Sequence, residues 1–147
     1  MDVLKKIHGW MRSGASLLDV HPEPVQPTVE VMLGGEGAAY RGVIDTSGLI
    51  ANIHAARAAL ASLVDGGWFE PQRSAVFDFI SHFSSVDEWL RHREERRSTS
   101  VIDPSVIAHA RELLPLQGDS ELRVSERVLA SSFRRGHASQ VPRHLAG

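Results

Sequence analysis

The stretch Val76-Phe77-Asp78-Phe79-Ile80 constrains the fold more than any other part of this chain. Its four large apolar residues occupy both parities, so a strand here turns apolar side chains to both faces. Strands of that kind are ordinarily sandwiched between two layers. A layered fold, helices against a sheet, is therefore expected, and the 42% apolar share is enough to build its core.

Periodicity supplies the helices. Val3, Leu4, Ile7, Trp10 and Met11 form a one-sided stripe, closed by Arg12-Ser13-Gly14 with Gly14 suited to a left-handed turn. Leu49, Ile53, Ala56, Leu60 and Leu63 predict a helix over 49–65, capped by Asp45, Thr46 or Ser47 and ended by Gly66-Gly67. Ser85-Val86-Asp87-Glu88 reads as a capping box that turns Trp89 and Leu90 inward. Arg91 to Arg97, mixed in sign, reads as a solvated face. Asp103-Pro104 then opens a fourth helix carrying Val106, Ile107, Ala110, Leu113 and Leu114.

Between the helices lie strands. Ser16–Val20 is short and stopped by His21-Pro22-Glu23-Pro24. Val29, Val31 and Leu33 alternate before Gly34-Gly35-Glu36-Gly37, and Ala39–Ile44 returns, which predicts a β-hairpin. A strand spans 73–81, and another spans 121–133 with a bulge at Ser125-Glu126. The order is helix, strand, hairpin, helix, strand, two helices, strand: an α/β pattern in one domain over 1–133. Residues 134–147 have little apolar content and read as a loose tail.

The absence of cysteine excludes a disulfide scaffold and any thiolate metal site. Sixteen basic against 18 acidic residues give no electrostatic footprint for nucleic acid or an anionic membrane. No apolar run reaches the roughly 18–20 residues of a membrane helix, and the N-terminus has no apolar signal region. A soluble, cytoplasmic protein is expected. Its eight histidines include no short-spaced pair of the kind that holds zinc, so no metal is expected.

Five residues are candidates for chemistry. His21 follows a strand, where open α/β sheets bind ligands, and its ordinary pKa suits a general base. His54 and Arg57 lie off the apolar stripe of the 49–65 helix, with Arg57 able to hold a carboxylate through two parallel hydrogen bonds. Asp78 sits between two phenylalanines and requires either a sheet end or a partner such as Arg57 or Arg73. His82 follows the same strand.

The string Val3-Leu4-Lys5-Lys6-Ile7-His8-Gly9-Trp10-Met11-Arg12-Ser13-Gly14, leading into Leu17-Leu18-Asp19-Val20-His21-Pro22, resembles class I S-adenosylmethionine-dependent methyltransferases. In that family a helix and a glycine turn feed the fifth strand of a seven-stranded sheet. Met11-Arg12-Ser13-Gly14-Ala15 departs from the family's turn by lacking its proline and one glycine. The helix at 49–65 and the strands at 73–81 and 121–133 are similar to that family's later elements, the two strands standing as its sixth and seventh.

The resemblance implies a partial Rossmann-like methyltransferase sheet, strands 5, 6 and 7, with an inserted hairpin and four helices. It also implies that the cofactor-binding half is missing. The glycine-rich turn after strand one and the acid after strand two have no counterpart here, and Gly34–Gly37 does not open a helix. The implied protein is methyltransferase-like, incomplete or non-catalytic alone: a remnant or subunit of a small-molecule methyltransferase that takes S-adenosylmethionine only when complemented. The edge of Ser16–Val20, which strand four would otherwise cover, is then expected to meet either a second copy or a complementary half. The alternative, from the residues alone, is a non-catalytic α+β module that binds a small ligand or dimerises.

Overall fold

The structure is a computed structural model that describes residues 2–34, 37–116 and 118–137. Its elements run α1 (Asp2–Trp10), β1 (Ser16–Pro22), β2 (Thr28–Met32), β3 (Ala38–Asp45), α2 (Ser47–Asp65), β4 (Phe69–Phe83), α3 (Val86–Glu95), β5 (Val101–Ile102), α4 (Pro104–Leu113), a 3-10 turn (Leu114–Leu116) and β6 (Glu121–Arg135). The class is α/β, with four helices and a six-stranded antiparallel sheet. Along the sheet the order is β1-β6-β2-β3-β5, and β4 pairs with β6 as well. The hairpin is therefore part of the sheet. Val29 lies opposite Gly42 on one side and Val124 on the other. The two-residue β5, which periodicity is too short-sighted to predict, pairs Ile102 with Ile44.

Two compact units can be described separately. The first comprises residues 2–21, 54–75 and 129–137. Its core is Leu63, Phe69 and Phe133, with Leu4, Met11, Leu17, Leu60, Val64 and Trp68 packed against it. The α1 stripe is only half used: Val3 and Trp10 are exposed, and the buried residue of that helix is His8. Its Nε2–H donates to the Gly136 carbonyl at 3.0 Å, and its ring meets Trp68 and Phe69 edge-on. A polar residue thus takes an apolar place because its one buried N–H is satisfied.

Helix α2 ends as a Schellman motif. Trp68 N–H donates to Leu63 and Gly67 N–H to Val64, with Gly67 at φ 73°. By length and composition α2 is apolar enough to cross a membrane, contrary to the expectation that no run qualifies. Small alanines and the interspersed Asn52, His54 and Arg57 hide that total from the eye.

Residues 134–137 are not a loose tail. Arg134 and Arg135 continue β6, Arg135 N–H donates to Ala15 and its guanidinium donates to the Met11 carbonyl at 2.6 Å. Backbone and guanidinium bonds order this stretch, to which a count of apolar residues is blind. Positions 138–147 of the expected tail lie outside the described residues.

The second unit comprises residues 22–53 and 76–128. Val29, Val31, Ile44, Phe83, Val86, Trp89, Val106, Ala110, Leu114 and Leu122 form its core. The capping box holds in altered form: Ser85 Oγ accepts from Glu88 N–H, while the Glu88 carboxylate returns to Ser84 rather than Ser85. Asp103 caps α4 by accepting from Ser105 N–H at 2.8 Å, with Pro104 in the first turn. Gly34 and Gly37, at φ 51° and 100°, make the hairpin turn; Gly35 and Glu36 between them lie outside the described residues.

The sandwiched strand is where sequence and structure part most clearly. Residues 70–80 of β4 are exposed on both faces, Val76, Phe77, Phe79 and Ile80 among them. Among the described residues β4 pairs with β6 alone, so it is an edge strand. Pro71 agrees, since proline is tolerated where no ladder donor is needed. In β6 the parity of buried residues changes after Val128, from Leu122 and Val128 to Ser131 and Phe133, rather than at Ser125-Glu126.

Candidate functional site

The terminal position of β1 in the sheet path sets its chemistry. Strand alternation puts Leu17, Asp19 and His21 on one face and Leu18 and Val20 on the other, which is exposed. Two polar residues two positions apart can therefore touch. His21 Nδ1 lies 3.0 Å from Asp19 Oδ2. A carboxylate only accepts, so Nδ1 carries a hydrogen, and in the neutral ring Nε2 is then left with its lone pair. Nε2 is buried and has no hydrogen-bond partner among the described residues. Buried polar atoms are nearly always satisfied, and one that is not asks for an explanation.

Around this pair is a cleft of about 360 Å³, formed within the first unit. Asp19 and His21 come from β1, and Arg57, Leu60, Ala61, Val64 and Asp65 from α2. Pro71, Leu129, Ser131 and Phe133 complete it from β4 and β6. The size is at the lower end of small-molecule sites, and an apolar lining with a few convergent polar groups is their usual composition. Ser131 is buried and its hydroxyl is 2.9 Å from that of Ser74. A carboxylate-backed imidazole lining such a cleft can take a proton from a hydroxyl or amine, or accept a hydrogen bond, once a bound group reaches its Nε2.

Of the five sequence candidates, the structure brings His21 and Arg57 together on this cleft. His54 is exposed on the same helix and is not part of the lining. Asp78 and His82 belong to the second unit. Asp78 is neither at a sheet end nor paired: it is exposed, with no ion pair among the described residues, because neither face of this stretch of β4 is covered. His82 is exposed too, its Nδ1 3.0 Å from Glu121 Oε2. That hydrogen bond holds the Glu121 carboxyl below its ordinary range, with Arg123 adding to the effect.

A second cleft of about 350 Å³ lies within the second unit and was not foreseen. Arg93, placed by sequence on a solvated face, lines it part-buried. Its guanidinium donates to the Ser100 hydroxyl and carbonyl at 2.9 and 2.6 Å and lies over the Trp89 ring. Partial burial lowers the Arg93 pKa. Glu126 lines the same cleft, and burial raises its carboxyl pKa above the ordinary value. Glu126 falls in what the alternation pattern showed only as a slip, so sequence gave no signal for it. Among the described residues no group of three His, Asp or Glu side chains could hold a metal ion.

Comparison with family models, with curated proteins and with solved structures finds no match for this chain.

Proposed function

We propose that this chain is the acceptor-side half of a small-molecule methyltransferase of the class I type, with His21 as the base that relieves the acceptor of its proton. One observation carries this: the Asp19-oriented His21, on a terminal strand that lines a cleft, its Nε2 buried and without a partner among the described residues. The sheet supports it. The three strands aligned by resemblance with the fifth, sixth and seventh are β1, β4 and β6, and they are contiguous, with β6 pairing to both others. Half of a larger sheet must form such a block.

S-adenosylmethionine does not fit this chain by itself. The glycine turn Gly34–Gly37 joins two hairpin strands and presents no helix N-terminus to a ligand. The cofactor belongs to a complementary half, which would add to β1 on the edge that β6 leaves open. What this chain supplies is an apolar-lined acceptor cleft with Arg57 on its wall and a proton acceptor held in one tautomer by Asp19. In a reconstituted pair, His21→Ala is expected to lower turnover of a hydroxyl acceptor about 10²–10⁴-fold, the usual worth of a positioned base. Undiminished turnover would remove His21 from that role.

A second reading, a non-catalytic ligand-binding module, is favoured by one observation. Each cleft is built wholly from residues of one unit, so neither needs another chain to be lined.

A further inference from the structure

Strand β4 is 15 residues long, pairs with β6 on one edge, and turns Val76, Phe77, Phe79 and Ile80 outward at 45–56% exposure. A long edge with apolar side chains on both faces is a template for another strand, and proteins rarely leave one uncovered. Its two ends, Phe69 and Phe83, are buried, so the apolar exposure is confined to the middle.

We propose that this edge pairs with the same edge of a second copy, antiparallel about a two-fold axis at Val76. The charge and size pattern of the strand selects both the occupant and the register. A two-fold axis sets one residue opposite its own copy, so only registers centred on a single residue are open. Centred on Ala75, Ile80 faces the partner's Glu70; centred on Phe77, Asp78 faces the partner's Val76. Both juxtapose an apolar residue with a carboxylate.

Centred on Val76, the pairs agree. Glu70 faces the partner's His82, an exposed polar side chain, rather than an apolar one. Asp78 faces the partner's Ser74, Phe77 the small Ala75 of the partner subunit, and Phe79 the Arg73 of the partner subunit, a guanidinium against a ring. The two-fold repeats each pair, so polar residues meet polar ones at both ends of a strand whose middle is apolar, and no carboxylate faces an apolar side chain.

The chain has no cysteine, so single-cysteine variants report the register directly. In this register the two Val76 Cα atoms are about 4.5–5.5 Å apart, within disulfide reach. Two copies of Phe77 stand diagonally, about 7–8 Å apart and beyond it. Light scattering is expected to give twice the chain mass, and Val76→Cys to form a covalent dimer under mild oxidation while Phe77→Cys does not. Phe79→Lys, at a position exposed in the single chain, is expected to raise the dimer dissociation constant at least tenfold with an unchanged circular dichroism spectrum. A wild-type chain that stays monomeric at 100-micromolar-order concentration overturns the proposal. So does cross-linking through Leu18→Cys in place of Val76→Cys, which would put the second copy on β1, or cross-linking through Phe77→Cys alone, which would shift the axis.

Discussion

Gly136 lies where apolar content alone reads a loose tail, yet a methyl group added there would have nowhere to go. An added Cβ would stand 2.3 Å from the Gly67 carbonyl oxygen and 3.0 Å from the Trp68 backbone. Backbone cannot swing aside as a flexible side chain does, so in Gly136→Ala the end of β6 must withdraw. That breaks the 2.8 Å hydrogen bond from Gly136 N–H to Trp68 and the 3.0 Å bond from His8 to Gly136. Each bond is worth roughly 0.5–1.5 kcal/mol, and leaving the buried His8 nitrogen unsatisfied costs about 1–3 kcal/mol. The expected loss is about 2–4 kcal/mol. At about 2–4 °C per kcal/mol for a chain near this size, Tm falls by on the order of 10 °C. Thermal and urea unfolding measure it, with Gly118→Ala as the control, since nothing lies within 4 Å of an added Cβ there. A Gly136→Ala protein whose Tm stays within about 1 °C of the control would refute the tie between β6 and α1.

Other substitutions probe the clefts and the core. Trp89, 2% exposed, is the largest fully buried side chain of the second unit, and Trp89→Ala is expected to cost about 3–5 kcal/mol in urea unfolding. Burial raises the Glu126 pKa, so its contribution to stability is present below the unfolded pKa and is lost as pH rises through the folded one. Glu126→Gln should therefore gain stability relative to wild type as pH rises from 4 to 7; a variant that loses stability relative to wild type over that range would contradict burial as the cause. Glu121 has the opposite sign, its stabilisation present above the unfolded pKa and lost as pH falls through the folded one. His82→Ala should let the Glu121 carboxyl rise in an NMR titration, and an unmoved carboxyl would deny the pair. Nitrogen NMR of His21 should show hydrogen on Nδ1, with that preference lost in Asp19→Asn; an equal mixture of tautomers in wild type would break the argument for a base at Nε2.

The helices were legible because each begins and ends on local chemistry: Asp103 before Pro104, Ser85 three residues before Glu88, Gly67 after α2. The Asp19–His21 contact was half legible, since alternation puts both on one face, although only His21 stood out as a chemical group. What could not be read is what depends on long-range pairing. Val76 to Ile80 has the composition of a buried strand, and only the sheet order shows that β4 is an edge. His8 is separated by 128 residues from the Gly136 carbonyl that satisfies it, so nothing local marks it as the buried residue of its helix. Arg93 looked solvated because its acceptors on Ser100 lie beyond the end of its own helix.

Calorimetric titration of S-adenosylmethionine, into this chain alone and into this chain with a complementary half bound at β1, tests the central claim most directly. With the cofactor cradle proposed for the complementary half, micromolar binding is expected of the pair and none of the chain alone. Micromolar binding by the chain alone would contradict it, and so would a pair that binds no better than its parts.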